Sequence, residues 1–151
     1  MTLLSARGRK DRLLRVFERT GGPGSSTRSF DSLPEVAQER IRRGVETKEG
    51  EELILASYRD ERHWVLLTSE RLVATDSTVK TSLLWSEISD ATVEVREVQA
   101  SLASSKGKLS LRRLRVIRAD GRALDLELEP GPSFIALWNV LKSVAALRAT
   151  L

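Results

Sequence analysis

The sequence lacks cysteine altogether and is poor in histidine and in aromatic residues. Without cysteine, the 151-residue chain has no disulfide, no thiolate metal ligand and no cysteine nucleophile, which fits a reducing cytoplasm. The single histidine, His63, has no further ligand at metal-binding spacing, and the motifs of phosphate loops, dinucleotide folds and nucleophile elbows are missing. These absences predict a protein that is not an enzyme and that uses no metal and no cofactor.

Long hydrophobic runs are missing as well. No apolar stretch approaches the ~20 residues of a membrane span, and basic residues occupy positions 7–15, where a secretory signal needs its apolar core. We therefore expect a cytoplasmic protein, with a peripheral position on a membrane as the alternative. The net charge of +4 comes from the N-terminus, because residues 1–28 hold seven of the 25 basic residues and only two of the 21 acidic ones. A high isoelectric point of this origin does not indicate nucleic-acid binding by the rest of the chain.

The N-terminal residues 1–30 are predicted to be a flexible basic arm. Residues 2–20 fit a basic helix with a small apolar cluster of Leu13, Leu14 and Phe17. The stretch 21–27 is rich in glycine, serine and proline and is typical of a linker. An amphipathic arm that binds a partner or a membrane surface is the alternative interpretation.

The chain from residue 31 to residue 151 is predicted to form one domain that begins with a helix. Ser32 is a good N-cap with Glu35 three residues later, so the helix is expected over about residues 33–43. Beyond residue 50 the hydrophobic period changes to that of strands, and a β-bulge is expected at Arg112-Arg113. Seven strands are predicted, at residues 52–58, 63–68, 71–75, 81–85, 91–98, 109–118 and 124–129.

The clearest patterns are at the C-terminal end. Asp120-Gly121 predicts a hairpin turn, and the strand after it alternates Leu124, Leu126 and Leu128 with acidic residues. A capping helix is predicted over about residues 132–148 because large apolar residues recur there at three- and four-residue spacing. These residues are Phe134, Leu137, Trp138, Leu141 and Val144. Trp138 is expected in the core by its periodicity, and Trp64 and Trp85 are expected to be buried in the barrel, with an exposed contact spot as the alternative for these two.

The predicted fold class is mainly β within α+β. No helix separates successive strands, so a parallel α/β sheet is disfavoured. Seven short antiparallel strands closed by one amphipathic helix describe a curved sheet or a partly open barrel. If the helix closes one end, a binding site belongs at the opposite rim or along an open sheet edge.

Three segments resemble the bacterial pleckstrin-homology-like (PH-like) domains. They are Gly50–Ala56 with its Gly-Glu opening, Val65–Val73 with an "LT-x-x-RL" step, and Leu84–Ile88 with an isoleucine before the next strand. The resemblance covers about residues 48–147 and implies a seven-stranded bent antiparallel barrel capped by a C-terminal helix. It also implies a non-enzymatic protein that binds a protein or a peptide. The first hairpin loop, Arg59–His63, holds two acids and departs from the Lys/Arg pattern with which eukaryotic relatives bind phosphoinositides.

One candidate site stands out, a cluster of basic residues within seventeen positions: Lys106, Lys108, Arg112, Arg113, Arg115, Arg118 and Arg122. Such a patch suits the phosphate groups of lipid or nucleic acid. Nucleic acid is disfavoured, because aromatic residues are few and are not interleaved with the basic ones. The alternative is cross-strand pairing of Arg113, Arg115 and Arg118 with Glu129, Glu127 and Asp125, respectively.

The predicted function is therefore that of a binding module for a protein or peptide partner. A peripheral membrane adaptor, which binds anionic lipid through the basic arm and the Lys106–Arg122 patch, is one alternative. A dedicated partner protein of the immunity type is another. An exposed edge strand is also available for peptide addition or for homo-oligomerisation.

Overall fold

The fold is seen in a computed structural model that describes residues 4–147. This part of the chain forms four helices and eight strands. In chain order they are α1 (Ala6–Thr20), β1 (Thr27–Ser29), α2 (Glu35–Gly44), β2 (Leu53–Asp60), β3 (His63–Thr68), β4 (Arg71–Asp76), β5 (Val79–Leu84), β6 (Ile88–Thr92), α3 (Val95–Leu102), β7 (Arg113–Arg118), β8 (Ala123–Glu127) and α4 (Pro132–Leu147). Single 3-10 turns lie at Phe30–Ser32, Trp85–Glu87 and Gly107–Ser110.

The strands form two antiparallel sheets. The first has the order β1-β2-β3-β4-β5 and the second has the order β6-β7-β8. The predicted α+β class with antiparallel strands is confirmed, but the strand count is eight, because the short β1 adds to β2 through Thr27 opposite Ser57. The sheets meet without closing into a barrel, since β5 and β6 are separated by the 3-10 turn at Trp85–Glu87 and β8 pairs only with β7.

The predicted strand 91–98 is wrong in its second half. Strand β6 ends at Thr92 and the chain turns into helix α3 at Val95. The alternation of Val93 with Val95 is typical of a strand, but Val95, Val98 and Leu102 also follow helical spacing. In the structure this segment is a helix. Strand β7 accordingly begins only at Arg113, and the irregular pairing lies between Ile88 and Asp90 of β6 instead of at Arg112-Arg113.

The N-terminal helix α1 is docked on the rest of the molecule instead of forming a free arm. Its Leu13 and Phe17 are fully buried in the main core, where the helix packs against α4. Arg9 donates from Nη1 to the carbonyl oxygen of Ser69 at 2.8 Å, and its guanidinium lies 5.2 Å from the ring centre of Trp85. At Gly21 the helix end approaches α4 so closely that a Cβ would lie 2.1 Å from a backbone oxygen of α4.

Helix α4 closes one end of the main core, as predicted. Its bounds, Pro132–Leu147, agree with the expectation within the described residues, and residue 148 lies outside them. Phe134, Leu137 and Leu141 are buried against both sheets and α1. Trp138 is half-buried at the edge of this contact, and its indole Nε1 donates to the carbonyl oxygen of Ala91 at 2.9 Å. The helix is thus fixed by apolar burial and by two directional bonds to β6, the second from Lys142 Nζ to Asp90 at 3.0 Å.

Helix α2 covers the other face of the first sheet. Ala37 and Ile41 pack with Trp64 in a second apolar cluster. The expected capping box is wrong, because the helix begins at Glu35 after Pro34 and has no side-chain cap. Ser32 ends a 3-10 turn instead, and its hydroxyl donates within that turn. Strands β2 and β3 are therefore buried on both faces for most of their length, which explains their near-continuous apolar runs.

A buried ion pair fixes the β3–β4 turn. The Arg71 guanidinium binds both carboxylate oxygens of Glu51, with Nε 2.9 Å from Oε2. The Glu51 side chain is 0% exposed. Burial alone raises the pKa of Glu51, but hydrogen bonds from Arg71, Thr68 and the Lys48 backbone outweigh it, so the pKa lies below its ordinary value.

Candidate binding cleft beside strand β8

The strand arginines of the predicted basic patch are bound to acids. Arg113 lies 2.9 Å from Glu127, and Arg115 lies 2.9 Å from Asp125 across the β7–β8 hairpin. The remaining pair, Arg118 with Glu87, is longer at 3.8 Å. Cross-strand pairing therefore occurs, as the alternative interpretation expected.

The register of this pairing differs from the expected one by two residues. Arg113 was expected opposite Glu129 and is opposite Glu127. The cause is the length of the β7–β8 loop. The Arg118 N–H donates to the Arg122 carbonyl oxygen at 2.7 Å, and this bond closes a loop of three residues that includes Gly121 at φ 90°. Arg122 itself binds Asp120 at 2.8 Å within the same loop.

The other three members of the basic cluster lie outside strand β7 and differ from the paired arginines in having no acidic partner in the described part of the chain. Lys106, Lys108 and Arg112 are exposed and have no ion-pair partner among residues 4–147. Lys106 and Lys108 lie in and beside the 3-10 turn that follows α3, whereas Arg112 immediately precedes β7. The predicted cluster therefore consists of four arginines bound to acids and three exposed cations without an ion pair among residues 4–147.

Arg112 lines a cleft of about 460 Å³ between β8 and the ends of strands β2 to β5. The cleft lies away from α4, since none of the α4 residues lines it. Its apolar walls come from both sheets: Val65, Ala74, Val79, Leu124, Leu126 and Leu128. The charged rim is mixed: Arg59, His63, Asp76, Arg112, Asp125 and Glu127. A concave apolar surface with a few polar groups around it is the usual form of a ligand site.

Strand β8 presents an unpaired backbone edge beside this cleft. Arg118 and Arg122 bond through their backbones, and so do Leu128 and Arg112, with Leu128 N–H donating at 2.8 Å. In an antiparallel ladder the bonded pairs alternate, so the N–H and C=O groups of Asp125 and Glu127 face away from β7. Within the described residues β8 has no second neighbouring strand. An open edge and an apolar cleft therefore adjoin each other.

The far end of β8 is held by Glu129. This residue was expected on the outward acidic face, but its carboxylate accepts three successive backbone N–H bonds, from Ser25, Ser26 and Thr27, at 2.8–3.1 Å. Ser133 adds a fourth bond at 3.2 Å. Burial raises the pKa of Glu129, and these four bonds more than offset the rise, so its pKa is lowered. Glu129 therefore ties β8 and the start of α4 to the segment that leads into β1.

His63, on the rim of the cleft, contacts acidic residues of two neighbouring hairpin turns. Its Nδ1 lies 2.8 Å from Asp60, and its Nε2 lies 3.5 Å from Asp76 on the next hairpin. The hydrogen bond from His63 is the main cause that lowers the pKa of Asp60. The imidazole thus joins the two hairpin tips that form one wall of the cleft.

Sequence reasoning indicated the position of the cleft only in general terms. The sequence placed a binding site away from the capping helix, where the cleft lies, and of the seven residues of the predicted basic cluster only Arg112 lines this cleft. The alternating leucines of β8 were the available signal, because a strand that ends a sheet and faces another sheet needs a partner for its apolar side.

No family model, no curated protein and no solved structure matches this chain. Among residues 4–147, none of the helices has the length and apolar character that a membrane crossing requires. The same residues contain no cluster of three or more histidine and acidic side chains suited to a metal ion. The geometry of the cleft is therefore the main basis for a functional assignment.

Proposed function

We propose that this chain is a non-catalytic PH-like module that binds an extended peptide segment of a protein partner in the cleft beside β8. The PH-like assignment is supported by the order of the elements. Strands β2 to β5 form an antiparallel meander, β6 to β8 form a three-stranded sheet, and α4 follows directly. Helices α1, α2 and α3 and the short β1 are additions to that core.

The observation that carries the peptide proposal is the free edge of β8 next to an apolar cleft. A peptide that adds as a strand gains backbone hydrogen bonds from the outward N–H and C=O groups of Asp125 and Glu127. Its side chains alternate between two faces. One face enters the cleft beside Leu124 and Leu126, which favours apolar residues. The other face comes next to the Asp125 and Glu127 carboxylates, which favours basic residues.

A test begins with peptides selected from a random displayed library on the immobilised full chain. We expect selected sequences to alternate apolar and basic residues. Their affinity is then measured for Thr81→Trp, which places an indole in the cleft, and for Ser82→Trp, which places it on the exposed opposite face of β5. Thr81→Trp should weaken binding by about tenfold or more, because a filled cleft excludes the peptide side chain. Ser82→Trp should leave it unchanged.

A second variant tests strand addition itself. Ala123→Pro removes an outward N–H at the first residue of β8, a position where proline is tolerated and where no ion pair is lost. Weaker peptide binding with unchanged thermal stability supports pairing at this edge. Failure to enrich any peptide, or equal affinity for the wild type and Thr81→Trp, would overturn the proposed function.

A further inference from the structure

The burial pattern of helix α3 is the reverse of the usual one: its apolar side chains are exposed and a polar side chain is buried. Val95 and Leu102 are 71% and 77% exposed, and Val98 between them is exposed as well. The buried side chain of this helix is a serine, Ser101, whose hydroxyl donates to a backbone oxygen of the helix. A surface helix normally turns its apolar stripe to the core and its polar side chains to water. Here the apolar stripe faces outward.

Four exposed apolar residues lie on helix α3 and on the 3-10 turn beside it, and we call them the α3 face. Val95, Val98 and Leu102 recur at intervals of three and four, which places them on one side of the helix. Leu109 in the 3-10 turn packed against α3 is exposed too. Half of the exposed large apolar residues in the described chain belong to this face. A cluster of this kind marks an interaction surface.

The charges around the α3 face are positive. Arg96, Lys106 and Lys108 are exposed and have no ion-pair partner within residues 4–147. The two acids of the segment share their arginines with strand β8. Glu94 lies 2.7 Å from Arg115, which also binds Asp125, and Glu97 lies 3.4 Å from Arg113, which also binds Glu127. Counted with Glu94 and Glu97, the three cations still leave residues 94–110 with a net charge of +1.

We propose that the α3 face docks on an anionic lipid surface. Aliphatic residues on one helix side, flanked by lysine and arginine, match the requirements of a helix that lies in the plane of a bilayer interface. The lysines attract acidic headgroups, and the valines and leucines enter the boundary with the acyl chains. A protein partner is the less suitable occupant, because protein interfaces are enriched in aromatic residues and depleted in lysine, and the α3 face has no aromatic residue.

This contact is weak and reversible on its own, since four aliphatic side chains and three cations supply little more than one short acyl anchor. It needs no headgroup pocket, so it is independent of the Arg59–His63 loop. It is also independent of the proposed peptide cleft, since the lining residues of the cleft do not include the α3 face. Either proposal can fail without the other.

The absence of cysteine permits a site-specific probe. A Leu102→Cys variant is labelled with an environment-sensitive nitrobenzoxadiazole dye, and Val36→Cys on α2, also exposed, serves as the control. Vesicles of phosphatidylcholine with phosphatidylserine should shift the emission of the label at position 102 to the blue. Vesicles of phosphatidylcholine alone should not, and position 36 should respond to neither.

Affinity for the mixed vesicles then separates the apolar and electrostatic parts. Lys106→Gln and Lys108→Gln should each weaken binding about fivefold, whereas Lys48→Gln in the loop before β2 should have no effect. Leu102→Ser should weaken binding at high salt as well, because its contribution is not electrostatic. These variants are exposed and should keep the wild-type melting temperature.

Three outcomes would overturn the proposal. The first is no binding to the mixed vesicles at low salt. The second is vesicle binding that is insensitive to Leu102→Ser but lost in Arg12→Gln/Arg15→Gln, which would assign the contact to α1. The third is a blue shift at position 102 without vesicles that grows with protein concentration, which would make the α3 face an interface between copies of the chain.

Discussion

Two threonines of the first sheet show how much a buried hydroxyl depends on its neighbours. Thr68 at the end of β3 donates to Glu51 at 2.6 Å and accepts from the backbone N–H groups of Glu70 and Arg71. The hydroxyl of Thr75 on β4 is also buried but has no hydrogen-bond partner in the described part of the chain. The hydroxyl is therefore hydrogen-bonded at Thr68 and, within residues 4–147, unsatisfied at Thr75.

Valine at these two positions should therefore have opposite effects. Thr75→Val removes an unsatisfied hydroxyl without a change of shape and should raise the free energy of unfolding by about 1 kcal/mol. Thr68→Val leaves two donors and a carboxylate without their partner and should lower it by about 2–3 kcal/mol. Urea unfolding of the two variants beside the wild type measures both. Destabilisation by Thr75→Val would mean that its hydroxyl is satisfied, for instance by an ordered water.

At the scale of elements, the helices differ in what they contribute. Helices α1 and α4 share the main core, α2 forms a second cluster with the outer face of the first sheet, and α3 contributes only one buried residue. The stability of the molecule should therefore depend strongly on α1 and α4 and weakly on α3. The N-terminal residues, basic in composition, act mainly as a core element.

Phe17→Ala tests the role of α1. Because Phe17 is fully buried between α1 and the sheets, its truncation should lower the free energy of unfolding by about 3–5 kcal/mol. Arg15→Ala, two residues away on the exposed side of the helix, should change it by less than about 0.5 kcal/mol. Thermal melts followed by circular dichroism compare them. Equal melting temperatures for Phe17→Ala and the wild type would show that α1 is not part of the cooperative core.

At the scale of the whole molecule, two carboxylates join segments that are distant in sequence. Glu51 links the loop before β2 to the β3–β4 turn through Arg71, and Glu129 links the end of β8 to the segment before β1. The pKa of each is below its ordinary value of 4.5. The folded chain therefore binds these protons more weakly than the unfolded chain, so both groups contribute stability above pH ~4.5 that is lost as the pH falls further.

Acid unfolding should reveal how much Glu51 and Glu129 contribute to the pH dependence of stability. The free energy of unfolding should decline below pH ~4.5, and Glu51→Gln and Glu129→Gln should each reduce the decline while lowering stability at neutral pH. Guanidinium titrations at a series of pH values provide the measurement. Glu49→Gln, at an exposed position in the same loop as Glu51, is the control and should leave the profile unchanged. A decline of undiminished slope in both variants would place the acid sensitivity elsewhere.

Local pattern was enough to predict most of the elements. The alternation in β8, the Asp-Gly turn and the stripe of α4 each carry their signal within a few residues, so the strands, the hairpin and the capping helix follow from the sequence. The local hydrophobic pattern gives the wrong element at Val93–Val98, because valines at alternate positions fit both a strand and the first turn of a helix. It also fails for Ser32, where Pro34 and the 3-10 turn before it displace the expected cap.

The sequence by itself determined the α+β class with antiparallel strands, the alternation of β8 and the apolar stripe of α4. It offered the pairing of arginines with acids across β7 and β8 as one of two interpretations, in a register that differs from the observed one by two residues. Only the tertiary structure decided which residues those patterns bring together. Packing of α1 on α4 makes a basic segment part of the core, because its apolar residues Leu13, Leu14, Val16 and Phe17 meet a matching surface. The meeting of the β8 edge with the first sheet creates the cleft, and the packing of α3 through Ser101 leaves its valines exposed. Both features depend on contacts between residues far apart in the chain, which no local period encodes.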